Sequence, residues 1–344
     1  MTLQPSTEPS TDQAPAAQPV LRVQGLRTHL FLKRGVLKAV DGVSFDLHAG
    51  QTLGIVGESG SGKSMTSLSI MRLLPKDSGR IVGGQVWLDG VDLTTLPEQA
   101  MARDIRGRRV AMVSQDPMTS LNPVFTVGDQ VGAPLRYHHL AQGRQAVREG
   151  VIQVLQRVRI PTPETRLGNY PHQFSGGMRQ RVVAAMAIAC TPQVLIADEP
   201  TSNLDVTIQV QMIELFRELQ RETGVGIILI THDLGVAASI CQRVAVMYAG
   251  RIVEIGDVRR IFREAAHPYT QALLRAIPHL GQRRHRLQAI AGQPPSLIDP
   301  PAGCRFAARC PRRSAQCDAT YPPERELAPG HLVACWHPGP EASA

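Results

Sequence analysis

Eight residues, Gly57-Glu58-Ser59-Gly60-Ser61-Gly62-Lys63-Ser64, constrain the surrounding chain more than any other stretch of its 344 residues. An apolar run, Thr52-Leu53-Gly54-Ile55-Val56, precedes them and reads as a buried strand, and a stretch with helical spacing, Met65 to Leu74, follows. Strand, glycine loop, then helix is the setting in which G-x-x-x-x-G-K-[ST] becomes a phosphate-binding loop. Gly57, Gly60 and Gly62, with Ser59 among them, let backbone N–H groups converge on phosphate oxygens without Cβ atoms in the way. The helix N-terminus adds donors and a partial positive charge. Lys63 is expected to reach the β- and γ-phosphates and Ser64 to ligate Mg²⁺. The competing reading, a Gly/Ser-rich surface loop, leaves the flanking strand and helix without a purpose. The expectation is a nucleoside triphosphate site.

Two later apolar runs end in groups that suit such a site. Val194-Leu195-Ile196-Ala197 reads as a buried strand leading into Asp198 and Glu199. Asp198 is placed to hold Mg²⁺, and Glu199 to orient or deprotonate an attacking water. Gly226-Ile227-Ile228-Leu229-Ile230-Thr231 is a further buried strand, delivering His232 to the same edge as a γ-phosphate contact. The strand Val110-Ala111-Met112-Val113-Ser114 ends at Gln115, where a polar side chain would face the ligand crevice. Alternating runs at Val20–Val23 and Val43–Leu47 look like antiparallel strands beside this core, and Gln85–Gly90 like a strand entering a turn. Phe31, in a turn-like segment, is the candidate to stack on the base, with Leu30 competing for that position. Residues from about 116 to 180 change character. Helical stretches at Val127–Leu135 and Arg144–Val158 are separated by prolines, as in a helical insertion. Ser175 reads as the N-cap of a helix running to Cys190, with Gly176 and Gly177 allowing an anion to approach.

In this order the pieces resemble the nucleotide-binding subunit of an ATP-binding cassette (ABC) transporter, from about Val20 to Pro278. The resemblance implies an α/β fold: a P-loop NTPase of ABC type with an antiparallel β subdomain, a helical insertion and a small Cys-rich tail. The corresponding divisions are a flexible tail over 1–19, the ATPase domain over 20–278 and an extension over 279–344. In that family's terms Gly57–Ser64 is the Walker A loop, and Gln115 is the Q-loop residue, assigned to Mg²⁺ and to the catalytic set with Glu199 and His232. Ser175, Gly176 and Gly177 match the signature motif, Asp198 the Walker B acid, Ser202-Asn203-Leu204-Asp205 the D-loop and His232 the switch histidine. The family implies a head-to-tail dimer, with ATP clamped between one subunit's Walker A loop and the other's signature motif; Asp205 of the D-loop is counted among the nucleotide-binding residues. Met178, where the signature usually ends in Gln, and Asn203, where the D-loop usually has a small residue, imply unequal sites in a heterodimer.

Tyr170-Pro171-His172-Gln173-Phe174 before the signature, then His267-Pro268-Tyr269-Thr270-Gln271-Ala272-Leu273-Leu274, narrow the resemblance to ATPases of dipeptide and oligopeptide importers. Such importers pair two ATPases with two membrane permeases and an extracytoplasmic binding protein. Nickel and glutathione importers share the architecture, so those solutes stay open. A soluble ABC ATPase acting on nucleic acid or ribosomes is the rival from another class. The formal net charge of +8 favours anionic partners, but the clusters Arg106–Arg109 and Arg283–Arg286 lack interleaved aromatics, so no nucleic-acid partner is expected. No apolar run approaches the ~18 residues of a membrane span. The first nineteen residues lack a signal peptide's basic start and apolar stretch. The expected location is the cytoplasmic face of the inner membrane, held peripherally.

Cys304, Cys310, Cys317 and Cys335 crowd the end of the chain. Disulfides do not suit a cytosolic chain, whereas four thiolates suit zinc or an iron–sulfur cluster. The resemblance points to a [4Fe-4S] cluster, with Zn²⁺ as the alternative, in a structural role. Cys190 and Cys241 read as core residues.

Overall fold

A computed structural model describes residues 18–114, 120–202, 205–277 and 290–339. Gln115, Asn203 and Leu204 lie outside the described residues, as does most of the expected N-terminal tail. Twelve strands, β1 (Leu21–Leu32), β2 (Gly35–Leu47), β3 (Thr52–Val56), β4 (Gly79–Leu88), β5 (Val91–Asp92), β6 (Val110–Val113), β7 (Val194–Asp198), β8 (Gly226–Thr231), β9 (Arg243–Tyr248), β10 (Arg251–Asp257), β11 (Arg325–Ala328) and β12 (His331–Val333), form two sheets. The larger has the order β11-β12-β10-β9-β3-β8-β7-β6; the smaller is β2-β1-β4-β5.

The centre of the larger sheet is parallel: β9, β3, β8, β7 and β6 run the same way. Every residue of β3, β7 and β8 is buried, which is why these strands are continuous apolar runs and not alternating ones. Successive side chains point to opposite faces and so feed two different cores. Val194, Ile196, Ile228 and Ile230 pack with β1, β2 and β4 of the antiparallel sheet. Their neighbours Leu195, Ala197, Ile227 and Leu229 pack on the helical side, with Val131, Val151, Val182 and Phe216. The parallel sheet is thus the middle layer between an antiparallel sheet and a helical layer. Parallel strands share one carboxyl edge, so whatever follows β3, β7 and β8 is gathered there.

The helical insertion contains the helices Val127–Tyr137 and Arg144–Arg157, ahead of Gly176–Ile188. Thr126 caps the first by accepting the Asp129 N–H at 3.1 Å. Cys241 is buried as expected, whereas Cys190 is only half-buried, lying just beyond the helix end at Ile188.

The C-terminal region is more than an extension held by its cysteines. Its β12 pairs antiparallel with β10, Glu254 opposite Val333, and β11 pairs with β12, so the tail forms the edge of the main sheet. The reason lies in β10, whose free edge would otherwise expose unpaired backbone groups. Glu254 pins the junction. It is fully buried, accepts the Ala266 and His267 N–H groups at 2.7 and 3.0 Å, and sits 2.8 Å from His331 Nε2. Burial opposes its charge, but hydrogen bonds from His331 and the two amides outweigh that and hold its pKa below the usual value. Glu254→Ala leaves those donors buried and unpaired, and is expected to lower stability by about 3–5 kcal/mol in denaturant unfolding. Because the folded pKa is depressed, the carboxylate's contribution is present above the unfolded pKa and is lost as pH falls through the folded value. Wild-type stability should therefore drop more steeply than the variant's below about pH 4.5.

Candidate nucleotide site

The loop after β3 has the backbone its glycines anticipate. Gly57, Gly60 and Gly62 all have positive φ, at 155°, 75° and 106°. A Cβ at Gly57 would lie 2.1 Å from the Met247 carbonyl oxygen, and one at Gly62 2.3 Å from that of Ala39. Both positions are therefore closed to any side chain. Lys63 opens the helix Lys63–Ile70, is 5% exposed, and donates from Nζ to the carbonyls of Gly57 (2.8 Å) and Glu58 (3.0 Å). Burial lowers its pKa, opposed by the negative charges of Glu199, Asp198 and Glu58.

The neighbouring strand ends bring the acids and the histidine to this loop. Ser64 Oγ donates to Asp198 Oδ1 at 3.1 Å, tying the loop helix to the end of β7. Asp198 has a raised pKa, chiefly from burial and then from the adjacent Glu199 charge, partly offset by Ser64 and Lys63. Glu199 sits at φ 46°, in the sparsely populated left-handed region. Its amide donates to the Ile230 carbonyl at 2.8 Å. Its Oε1 lies 3.2 Å from His232 Nδ1, and its Oε2 accepts the Ser202 hydroxyl at 2.9 Å. Burial works against the Glu199 charge, but these hydrogen bonds, with His232 and Lys63 charge, keep its pKa below the usual value. Glu199 is therefore a carboxylate at neutral pH.

Ser59, Gly60, Gly62, Lys63, Ser64, Glu199 and His232 line one cleft of about 650 Å³, whose other end is aliphatic: Leu30, Leu37, Ala39 and Leu297. The expectation for Phe31 is corrected here. Residue 31 is not in a turn but in β1, opposite Val36 of β2, is 49% exposed, and is not among the residues that line the cleft. Side chains alternate along a strand, so if Leu30 faces the cleft, Phe31 faces away.

The signature residues lie elsewhere. Ser175 caps the helix Gly176–Ile188, its Oγ accepting the Met178 N–H at 3.4 Å. Gly176 has open space beside it, while a Cβ at Gly177 would meet Ile208 at 2.9 Å. Asp205 caps the helix Val206–Thr223 through the Ile208 N–H at 3.0 Å. None of Ser175, Gly176, Gly177 and Asp205 lines the cleft of their own chain. This β–loop–α cradle, with acids at the ends of neighbouring parallel strands, fits a Mg²⁺-nucleoside triphosphate.

Comparison with known proteins decides the family. Residues 40–202 match the model described as "ABC transporter", and residues 253–317 match "Oligopeptide/dipeptide transporter, C-terminal region". The chain belongs to the ABC transporter family. It is 52% identical over 317 residues to the dipeptide transport ATP-binding protein DppD of Bacillus subtilis, covering 92% of this chain and 94% of that one. It is 45% identical to the oligopeptide transport ATP-binding protein OppD of Salmonella typhimurium over 332 residues, 96% of this chain and 98% of that one. Among solved structures, the cassette MJ0796, a dimer bound to ADP and Pi, matches in fold with a TM-score of 0.62 at 24% identity, over 70% of this chain and 99% of that one. The protein cbiO1 of Clostridium perfringens matches with a TM-score of 0.60 at 26% identity, over 71% and 91%.

The second cluster of the ABC protein is its cysteines. Cys304, Cys310, Cys317 and Cys335 line one small pocket with His267, whose buried Nε2 has no hydrogen-bond partner. Burial raises the thiol pKa of Cys304, to about 11, and also those of Cys310 and Cys335. The donor set suits a thiophilic metal. As placed, however, no group of three or more His, Cys, Asp or Glu side chains among the described residues is close enough to hold a metal ion.

The residue reading did not find Ser202 as a partner of Glu199, nor Leu37, Ala39 and Leu297 as cleft residues. Leu297 carries no local signal, because it reaches the cleft from the C-terminal region.

Proposed function

We infer that this chain is the ATP-binding and hydrolysing subunit of an importer for di- and oligopeptides. The observation that carries the reading is the assembly of Lys63, Ser64, Asp198, Glu199 and His232 at one sheet edge, on a chain that also carries the peptide-importer C-terminal region. The names of its relatives, dipeptide and oligopeptide transport ATP-binding proteins, support the cargo class.

The loop amides after Gly57 and the Lys63 ammonium bind the phosphates. Mg²⁺, held by Ser64 and Asp198 with Gln115 as a further expected ligand, would neutralise charge on the phosphates. Glu199 takes the proton of the attacking water at a carboxylate oxygen, and Ser202 and His232 hold that carboxylate in place. Ser175, Gly176, Gly177 and Asp205 are absent from their own chain's cleft, which supports a head-to-tail dimer where they complete a partner's site. That partner is a second, homologous ATPase. Met178 and Asn203 make the two composite sites unequal. Two permeases and an extracytoplasmic binding protein complete the assembly. Its likeness to transport ATP-binding proteins supports a peripheral place on the cytoplasmic face of the membrane, beside the permeases; among the described residues no helix is long and apolar enough to cross a membrane.

The test is uptake of labelled dipeptide by cells whose only copy carries Glu199→Gln. Loss of uptake, restored by the wild-type chain, is the expected result. Undiminished uptake would overturn the peptide assignment and turn the search to nickel or glutathione.

We also propose that the four tail cysteines hold a [4Fe-4S] cluster of structural role. Their convergence on one pocket, beside the unpartnered imidazole, supports it. Anaerobically purified protein should show broad absorbance near ~400 nm and about four irons per chain. Colourless protein with one zinc per chain would replace the cluster with Zn²⁺, and protein with neither would remove the metal altogether.

A further inference from the structure

Two separate contacts run from the C-terminal region to the two ends of the nucleotide cleft. At the aliphatic end, the segment around Leu297 lies against β2. The Lys38 N–H donates to the Leu297 carbonyl at 2.9 Å, and Leu37 forms an antiparallel bridge with Ile298. The match is close, since a Cβ on Gly35 would fall 2.8 Å from Ile298 Cγ2. The pairing places the half-buried Leu297 in the cleft wall with Leu30, Leu37 and Ala39.

At the phosphate end, Arg309 meets the loop itself. Its side chain is 4% exposed and takes Glu58 in a two-toothed grip, 2.8 Å from Nη1 to Oε2 and 3.0 Å from Nη2 to Oε1. A guanidinium has five N–H donors. The other three go to the Tyr248 hydroxyl (3.2 Å) and the carbonyls of Ala291 (3.0 Å) and Ile290 (3.2 Å). Arg309 therefore joins the phosphate loop to the irregular segment that precedes Leu297. A second hold on Glu58 comes from Tyr269, whose buried hydroxyl accepts the Glu58 N–H at 2.9 Å. Nearby, Arg305, also 4% exposed, pairs with Asp41 and donates to the Ala249 carbonyl. From there Gly250 N–H donates to the Ser61 carbonyl of the loop at 2.7 Å.

We propose that the segment 290–309 is part of the nucleotide site. Leu297 contacts the base of the bound nucleoside triphosphate, and Arg309 is a positioning residue that holds the phosphate loop in its binding shape through Glu58. The proposal rests on the cleft being the nucleotide site. It goes further in giving the C-terminal region a direct share in nucleotide affinity. The chemistry divides the two roles. An aliphatic wall acts on the base alone, through buried apolar area. A loop held by a bidentate, desolvated ion pair acts on the phosphates, whatever base they carry.

The experiment compares the binding of ATP and of inorganic tripolyphosphate, with Mg²⁺, to the full-length chain by calorimetry, well below each variant's melting temperature. Wild-type protein binds both; failure to bind ATP would sink the nucleotide reading itself, before any variant is compared. Leu297→Ser is expected to weaken ATP about three- to ten-fold and leave tripolyphosphate unchanged. Equal binding of ATP by this variant and wild type, or equal weakening of both ligands, overturns the base contact. Arg309→Met is expected to weaken both ligands about ten-fold or more. Arg309→Lys should not restore them, since an ammonium cannot reproduce the bidentate grip. In a Glu58→Gln background, Arg309→Met should add little, because the arginine acts through that carboxylate. If Arg309→Met does not fold, Glu58→Gln alone carries the test and should weaken both ligands. Wild-type affinities in a folded Arg309→Met or Glu58→Gln protein overturn the positioning role.

Discussion

Glu199→Gln is expected to lower ATP turnover about a thousandfold while ATP binding is kept or strengthened. The substitution preserves the side chain's shape and leaves an oxygen for the Ser202 hydroxyl, which now lies 2.9 Å from Oε2. What it removes is the charge and the ability to accept a proton. Glu199 is suited to that task because the hydrogen bonds of Ser202 and His232 overcome the effect of burial and keep it ionised at neutral pH. Removing a negative charge beside Asp198 and the phosphates also relieves repulsion in the bound state. A variant that binds but cannot hydrolyse should accumulate as an ATP-bound dimer, visible by size exclusion in the presence of Mg²⁺-ATP. Hydrolysis at the wild-type rate would overturn the assignment of Glu199.

The parts of this site that were legible in the sequence are those where residue type alone carries the requirement. Gly57 and Gly62 announce themselves because a Cβ there would strike the Met247 and Ala39 carbonyls. The acids at the end of β7 and the histidine after β8 announce themselves because each ends or follows a run buried on both faces, and such runs end at a common edge. The setting of Phe31 in a strand and not a turn was illegible for a different reason. Aromatic character suggested stacking, but the register of the β1–β2 pair decides which neighbour faces the cleft, and that register is set by pairing along the whole hairpin. The placement of the C-terminal region was not legible. Its cysteines do meet in one pocket, yet its attachment to β10 and its grip on Glu58 depend on partners far back in the chain. Arg309 and Glu58 are 251 positions apart, and nothing local to either residue points to the other. Leu297 is illegible on the same grounds, since its place depends on the antiparallel bridge between its neighbour Ile298 and Leu37 and on the Lys38 N–H bound to its carbonyl.

Lys63→Ala is expected to reduce ATP affinity by at least two orders of magnitude, with the fold retained. Lys63 is the first residue of the loop helix, so its ammonium and the helix's unpaired N–H groups lie at the same end. Among the described residues its ammonium donates to the carbonyls of Gly57 and Glu58, which hold it within the loop at 2.8 and 3.0 Å. Charge-assisted hydrogen bonds to phosphate oxygens contribute about 1.5–3 kcal/mol each, so losing even two accounts for a factor of ~10² to ~10⁴. Truncation also leaves Asp198 and Glu199 without their neighbouring positive charge, which makes an incoming anion less welcome still. Lys63→Arg is not expected to restore binding. The site is 5% exposed and shaped around a compact ammonium, and a planar guanidinium needs more room between those two carbonyls. Calorimetric titration with Mg²⁺-ATP, alongside circular dichroism to check the fold, separates the outcomes. A folded Lys63→Ala protein that binds ATP within about threefold of wild type would remove the lysine from the phosphate site. The loop amides and the helix N-terminus would then be left to bind the phosphates without it.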